Sequence, residues 1–421
     1  MFKWLAILLI FGFTAGLLAG LPKDLHGFAD VRAGLRTGED ETQKDESLAE
    51  ARLQLDYNYL GNLFEVRLRA DLLYDDVVDD RDIDLEQGKG WLDLREANIL
   101  FSPTQSMDVK LGRQILTWGA GDLLFINDLF PKDWQSFFNG RDVEYLKAPS
   151  DAVFMSFFPS FANIDLVYTP RFDADRHLTG ERLSLWNPLT QSITGSDDVI
   201  DPVRPDDWIE DGEFALRISK TVGALELGFY GYDGFWKSPA GFDPQMGRPT
   251  FNPLRVFGAS VRGTLGKALV AAEAGYYDSR DSQNGTNPFA PNSEFRLLLA
   301  YERELAQNLT GGFQYYLEYM DNYGAYEQRQ PPAAPLRDQA RHVLTMRLTR
   351  LALNQNLTLS LFTYWSPSDE DGYLRPGVKY KLNDDWLLTA GGNLFFGAED
   401  HTFFGQFENN NNLYAGARYS F

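Results

Sequence analysis

The chain has 421 residues, a net charge of -21 and no cysteine. Disulfides, thiolate metal sites and an N-terminal lipid on Cys are therefore excluded, and the acidity argues against a nucleic-acid partner, which needs clustered cations. A mean hydropathy of -0.33 excludes a bundle of membrane helices, but it does not exclude strands that bury only alternate residues in lipid.

In chain order, Met1–Lys3 gives a short positive start and Trp4–Ala19 an uninterrupted run of apolar or small residues. This layout predicts a signal peptide over 1–20, cleaved after Ala19 or Gly20, with a retained anchor as the alternative. The rest, 21–421, reads as one domain of period-2 segments. In Leu53-Gln54-Leu55-Asp56-Tyr57-Asn58-Tyr59 the odd positions are apolar and the even ones polar. After Gly61-Asn62 the alternation resumes through Phe64, Val66, Leu68, Ala70 and Leu72.

The same pattern predicts strands at 27–37, 47–60, 63–76, 91–102, 107–117, 150–158, 162–170, 210–221 and 224–236. It continues at 254–265, 268–278, 293–304, 308–320, 340–351, 356–365, 371–382, 385–396 and 411–421. Short connections, such as Gly61-Asn62, Val222-Gly223, Gly266-Lys267 and Asn383-Asp384, alternate with mostly long polar ones. An all-β, transmembrane antiparallel barrel of about 18 strands has this layout, with turns on one side and loops outside. Its partners would be outer-membrane lipid and lipopolysaccharide, and the machinery that assembles such barrels. The last segment ends on Tyr419-Ser420-Phe421 and resembles the C-terminal assembly signal of outer-membrane barrels.

Catalytic and cofactor patterns are absent from the sequence. His26, His177, His342 and His401 lack metal-ligand spacing. His342 alone is placed where a barrel-wall hydrolase would need one. Trp118-Gly119-Ala120-Gly121-Asp122 lacks a phosphate-cradle context.

Two features point to a pore. The third long connection, 118–149, carries Leu123-Leu124-Phe125-Ile126, Leu129-Phe130, Trp134 and Phe137-Phe138, too much apolar surface for an exposed loop. Folding into the barrel buries it, either as a constriction or as a cap. Its charged groups Asp122, Asp128, Lys132, Asp133, Arg141, Asp142, Glu144 and Lys147 are the constriction candidates.

The polar face of the strands places Arg52, Arg67, Arg69, Arg95, Arg113, Arg217, Arg262, Arg296, Arg347, Lys379 and Arg418 toward a lumen. Acids such as Asp56, Asp71, Glu213, Glu226, Glu273 and Glu302 share that face. The cations read either as a track for anions or as ion-pair ladders that stiffen the wall. Leu111-Gly112-Arg113-Gln114 followed by Trp118-Gly119 resembles a motif of alginate-export-type channels and a porin-like family. That resemblance implies an outer-membrane channel for an elongated or amphipathic molecule, with Arg113 lining it; taken with the cationic face, the expected solutes are small or elongated, anionic or amphipathic. An export conduit working with a transporter partner, a barrel-wall enzyme and a non-conducting structural barrel are the alternatives.

Overall fold

The computed structural model describes residues 24–78, 81–330 and 334–421; the segment read as a signal peptide lies outside them. Eighteen strands form one antiparallel sheet. They are β1 (Leu25–Arg36), β2 (Glu46–Leu60), β3 (Phe64–Asp75), β4 (Leu92–Thr104), β5 (Met107–Ile115), β6 (Pro149–Phe157), β7 (Asn163–Thr169), β8 (Glu213–Val222) and β9 (Leu225–Phe235). They continue with β10 (Pro253–Leu265), β11 (Ala268–Ser279), β12 (Glu294–Ala306), β13 (Leu309–Met320), β14 (Ala340–Ala352), β15 (Leu357–Ser366), β16 (Asp371–Lys381), β17 (Trp386–Gly397) and β18 (Asn412–Ser420).

Each strand pairs with its sequence neighbours, and β18 returns to β1 from Phe28↔Ser420 to Arg36↔Asn412. Beyond that ladder Phe421 and Gly27 exchange backbone hydrogen bonds of 3.0 and 3.1 Å. Closure leaves the sheet no unpaired edge, which is what lets strands cross a hydrocarbon layer. No helix among the described residues is long and apolar enough to cross it.

The period-2 alternation fixes which side chains face out. Phe214, Phe229 and Phe257 of β8–β10 are all exposed on the outer wall. On β2, Glu50, Arg52 and Gln54 are buried inside. Register shifts modify the rule locally: at one of them, a bulge in β4 where Arg69 faces Glu96 and Ala70 faces Leu94 leaves Arg95 unopposed. Asp93, Arg95 and Glu96 are all buried as a result, since a bulge re-aims side chains by one position.

Turns such as 61–63, 223–224 and 266–267 close one end, and loops L1 (37–45), L2 (76–91), L3 (116–148), L4 (170–212), L5 (236–252), L6 (280–293), L7 (321–339), L8 (367–370) and L9 (398–411) lie at the other. The barrel has its hydrophobic core inside. Ile126, Phe137, Phe138 and Leu146 of L3 cluster with Leu298, Tyr316, Tyr364, Tyr373 and Phe395 of the wall and Phe404 and Phe407 of L9.

Candidate functional site: the loop across the lumen

L3 leaves β5, crosses to the opposite wall and returns to β6. Its first part, 118–127, is held by strands far around the circumference. The Glu273 carboxylate of β11 accepts from the backbone N–H of Ala120 and of Asn127, each at 2.8 Å. Gln314 of β13 both donates to and accepts from the Asp122 backbone at 2.8 Å. Arg347 of β14 grips the Asp122 carboxylate through two nitrogens at 2.5 and 2.9 Å. Tyr364 of β15 donates to the Leu123 carbonyl at 2.6 Å.

The middle of L3 is helix α1 (Trp134–Asn139). Asp133 caps it by accepting from Ser136 N, and Gly140 ends it at φ 97°. A β-carbon at Gly140 would lie 2.4 Å from the Tyr414 ring. This left-handed, crowded position therefore suits glycine alone. Phe138 presents its ring to Tyr373, Phe395 and Phe407 at centroid distances of 5.7, 5.4 and 5.2 Å. Burying a side chain of this kind stabilises the seated loop by about 1.5–3 kcal/mol relative to leaving it in water.

The last part, 141–148, is held by charge. Arg141 donates to Glu50 at 2.6 Å. The Asp142 carboxylate lies 2.8 Å from Lys379, 3.4 Å from Arg418 and 3.5 Å from Arg32. Glu144 stands 3.4 Å from Arg418. Arg32 and Arg375 donate to the carbonyls of Gly140 and Arg141, both at 3.0 Å. Tyr145 donates to Asp71 at 2.9 Å beneath the Arg52 guanidinium.

Of the remaining charged groups of the loop, Asp128 pairs with Lys132 at 3.1 Å. Asp133 meets Arg176 of L4 at 3.3 Å. The Lys147 side chain faces a cavity, described below.

Most lumen cations of the wall are matched by carboxylates. Arg52 pairs with Glu50 and Asp71. Arg67 and Arg69 share Asp56 and Glu96. Arg95 reaches Asp93, Arg113 reaches Asp151 and Arg217 reaches Asp165. Arg296 has Glu294 and Glu318, and Arg418 has Asp30 besides the L3 acids. Arg262, opposite Glu226 in the β9–β10 register, makes no ion pair among the described residues. The arrangement is a network of ion pairs within and between strands, with Arg32, Arg176, Arg182 and Arg341 as further members that strand alternation did not single out.

Between L3 and the turn end of the barrel lies a cavity of about 600 Å³, lined by 117–123 of L3, Lys147, Arg217, Glu226, Arg262, Glu302, Gln314 and Arg347. On the loop side, L4–L7 enclose a second cavity of about 720 Å³. His342 carries no catalytic arrangement: its ring contacts the Tyr315 phenol at 2.8 Å, while Ser366 and Ser368 touch only its backbone. No group of His, Asp or Glu among the described residues is arranged to hold a metal ion.

L4, one of the long polar connections, also enters the barrel mouth. Its Asp175 carboxylate accepts from Lys132 N at 2.8 Å and from the Trp134 indole at 3.0 Å. Nearby, Asp173 shares a corner with Glu213, Lys237 and Asp151. Burial, then the Glu213 carboxylate, pushes the Asp173 carboxyl up to about 6. A carboxyl raised in the folded state keeps its proton where the unfolded chain has lost it, so the contribution favours folding at low pH. It declines as pH rises from about 4 to 6, by at most about 3 kcal/mol. L4 is therefore expected to resist limited proteolysis better at pH 5 than at pH 7.5. The comparison is with Asp173→Asn at each pH, in which the difference should vanish.

No protein-family model and no curated protein matches the sequence. Among solved structures, OccAB1 of Acinetobacter baumannii is 11% identical, with a TM-score of 0.52 over 95% of this chain and 97% of that one. OmpT of Vibrio cholerae, an outer membrane protein in a trimer form, is 13% identical, with a TM-score of 0.42 over 94% and 99%. A triple mutant of the Rhodopseudomonas blastica porin is 10% identical, with a TM-score of 0.40 over 94% and 99%. With its closed 18-stranded antiparallel sheet, the chain has a β-barrel fold that it shares with OccAB1.

Proposed function

We propose that the protein is a passive outer-membrane channel, without enzymatic activity, whose conductance is set by L3. The observation that carries this reading is the crossing of the lumen by 118–147, tied to the far wall through Asp122 and Arg347, beside a charged cavity of about 600 Å³. A barrel of this strand number encloses more space than its own side chains fill. Lipid covers the outward phenylalanines, and Phe421 serves assembly by completing the β1–β18 seam.

The paired wall argues against a rail for anions. A guanidinium neutralised by a neighbouring carboxylate offers a passing anion little net field, and the chain carries a charge of -21. Selection would instead rest on width and on apolar contact.

Single-channel recording in planar bilayers tests both points. Stepwise ohmic conductance is expected, with reversal potentials in a KCl gradient favouring K⁺. Arg347→Gln should release the Asp122 tie and increase current noise. Absence of conductance from folded protein, with L3 present and with it removed, would identify a structural barrel instead. Anion preference above about fivefold would overturn the paired-wall argument.

A further inference from the structure

The cavity on the loop side has a lining that packing does not explain. Its walls are the hairpin 185–194 of L4 and the hairpin 241–250 of L5, closed by L6 and by helix α2 (Tyr323–Arg329) of L7. Leu185, Trp186, Leu189, Phe242, Phe289 and Tyr326 face it, with five prolines from three loops. Leu189 and Phe289 are 57% and 40% exposed. Loops at the outer end of a barrel have no reason to gather apolar surface around open space unless something fills it. Proline fixes φ, so the walls are preformed and little ordering is left to oppose binding. A volume of about 720 Å³ falls in the range of small-molecule sites.

The charges of the lining are already engaged. Arg248 pairs with Asp201. Arg329 donates to the carbonyls of Gly285, Asn287 and Ala290. Arg337 lies 3.6 Å from Glu318 and 4.0 Å from Glu294, at the floor where the cavity meets the strand ends. Asp198 accepts from Asn187 at 3.3 Å. Arg248 and Arg337 already have carboxylate partners, and Arg329 and Asp198 are already hydrogen-bonded to neutral groups, so a charged guest would lose its hydration and have to displace an existing contact to be paired.

We propose that this cavity is an external capture site for an uncharged, largely apolar ring compound carrying one or two polar groups. The inference rests on the channel reading for the onward route past Arg337, while capture itself does not need it.

The test uses one ring system in three charge states, titrated calorimetrically onto the full-length protein in lipid nanodiscs, with empty nanodiscs subtracted. 2-Naphthol is expected to bind saturably, and 2-naphthoate and 2-naphthylmethylammonium at least about tenfold more weakly. Leu189→Glu and Phe289→Glu should each weaken 2-naphthol binding at least about tenfold. Both side chains are exposed, and heat-dependent gel mobility checks that the variants keep the barrel. Equal or tighter binding of either charged probe, no saturable binding, or naphthol uptake unchanged in both variants would overturn the site. Conductance of the same preparation separates the two readings: a conducting protein that ignores naphthol refutes only the site, and a silent one that binds it refutes only the channel.

Discussion

Deleting 122–142 and closing the gap with a short glycine-serine turn is expected to raise single-channel conductance at least about threefold. The cut-off for polymer exclusion should rise with it. The wall survives the deletion, because β5 and β6 pair directly from Met107↔Phe157 to Ile115↔Pro149 without help from L3. What disappears is the bridge anchored on Glu273 through Asn127, on Gln314, Arg347 and Tyr364, and the aromatic packing of Phe137 and Phe138. The groups released, among them Glu50 and Arg347, are left in a lumen that water then fills, so the desolvation cost of unpaired charge stays small. Folded, inserted protein with unchanged conductance would show that the narrowest point lies elsewhere, in L4 or at the outer cavity.

The barrel was legible in the sequence because strand alternation is a local signal. Alternation through Leu53–Tyr59 and Phe64–Leu72 gives both the strands and the faces, and the turns between them separate the hairpins. The apolar run 123–138 gave away that L3 is buried. Its partners were not legible: Tyr373, Phe395 and Phe407 lie more than two hundred residues further on, and nothing local links them to Phe138.

The same holds for charge. Arg347 and Asp122 are 225 residues apart, so their pairing is a property of barrel closure. For this reason the choice between a free cationic track and a paired wall stayed open until the strands were in register. The bulge at Arg95 is a third kind of case, since a single extra residue shifts the parity for Asp93 and Glu96 on either side of it. Least legible was L4. Arg176 and Arg182 sit in an aperiodic stretch, where no pattern distinguishes a side chain that returns into the barrel from one that stays in water.

Arg176 is where that illegibility matters most, and Arg176→Ala should be the most damaging single substitution in the loops. The side chain is 1% exposed. It donates to both oxygens of Asp93 on β4 at 2.7 and 3.0 Å, to Asp133 at the start of α1 at 3.3 Å, and to the Leu85 and Glu86 carbonyls of L2 at 3.2 Å. Its backbone pairs with Lys132 and Trp134. One guanidinium thus joins the wall, L2, L3 and L4. Truncation leaves two buried carboxylates without their shared cation, a change that costs about 3–5 kcal/mol in comparable buried pairs. L3 and L4 should come away from the mouth together rather than separately, because the Asp133 cap of α1 loses its partner in the same step. The expected signature is a lower urea midpoint, L4 cleavage at protease levels the wild type resists, and noisy conductance that approaches that of the L3 deletion. Arg176→Lys should rescue little, since an ammonium cannot span Asp93 in bidentate fashion and still reach Asp133 and two carbonyls. An unfolding free energy within about 0.5 kcal/mol of wild type in Arg176→Ala would mean that the loops are seated by the aromatic core alone, with the guanidinium adding nothing.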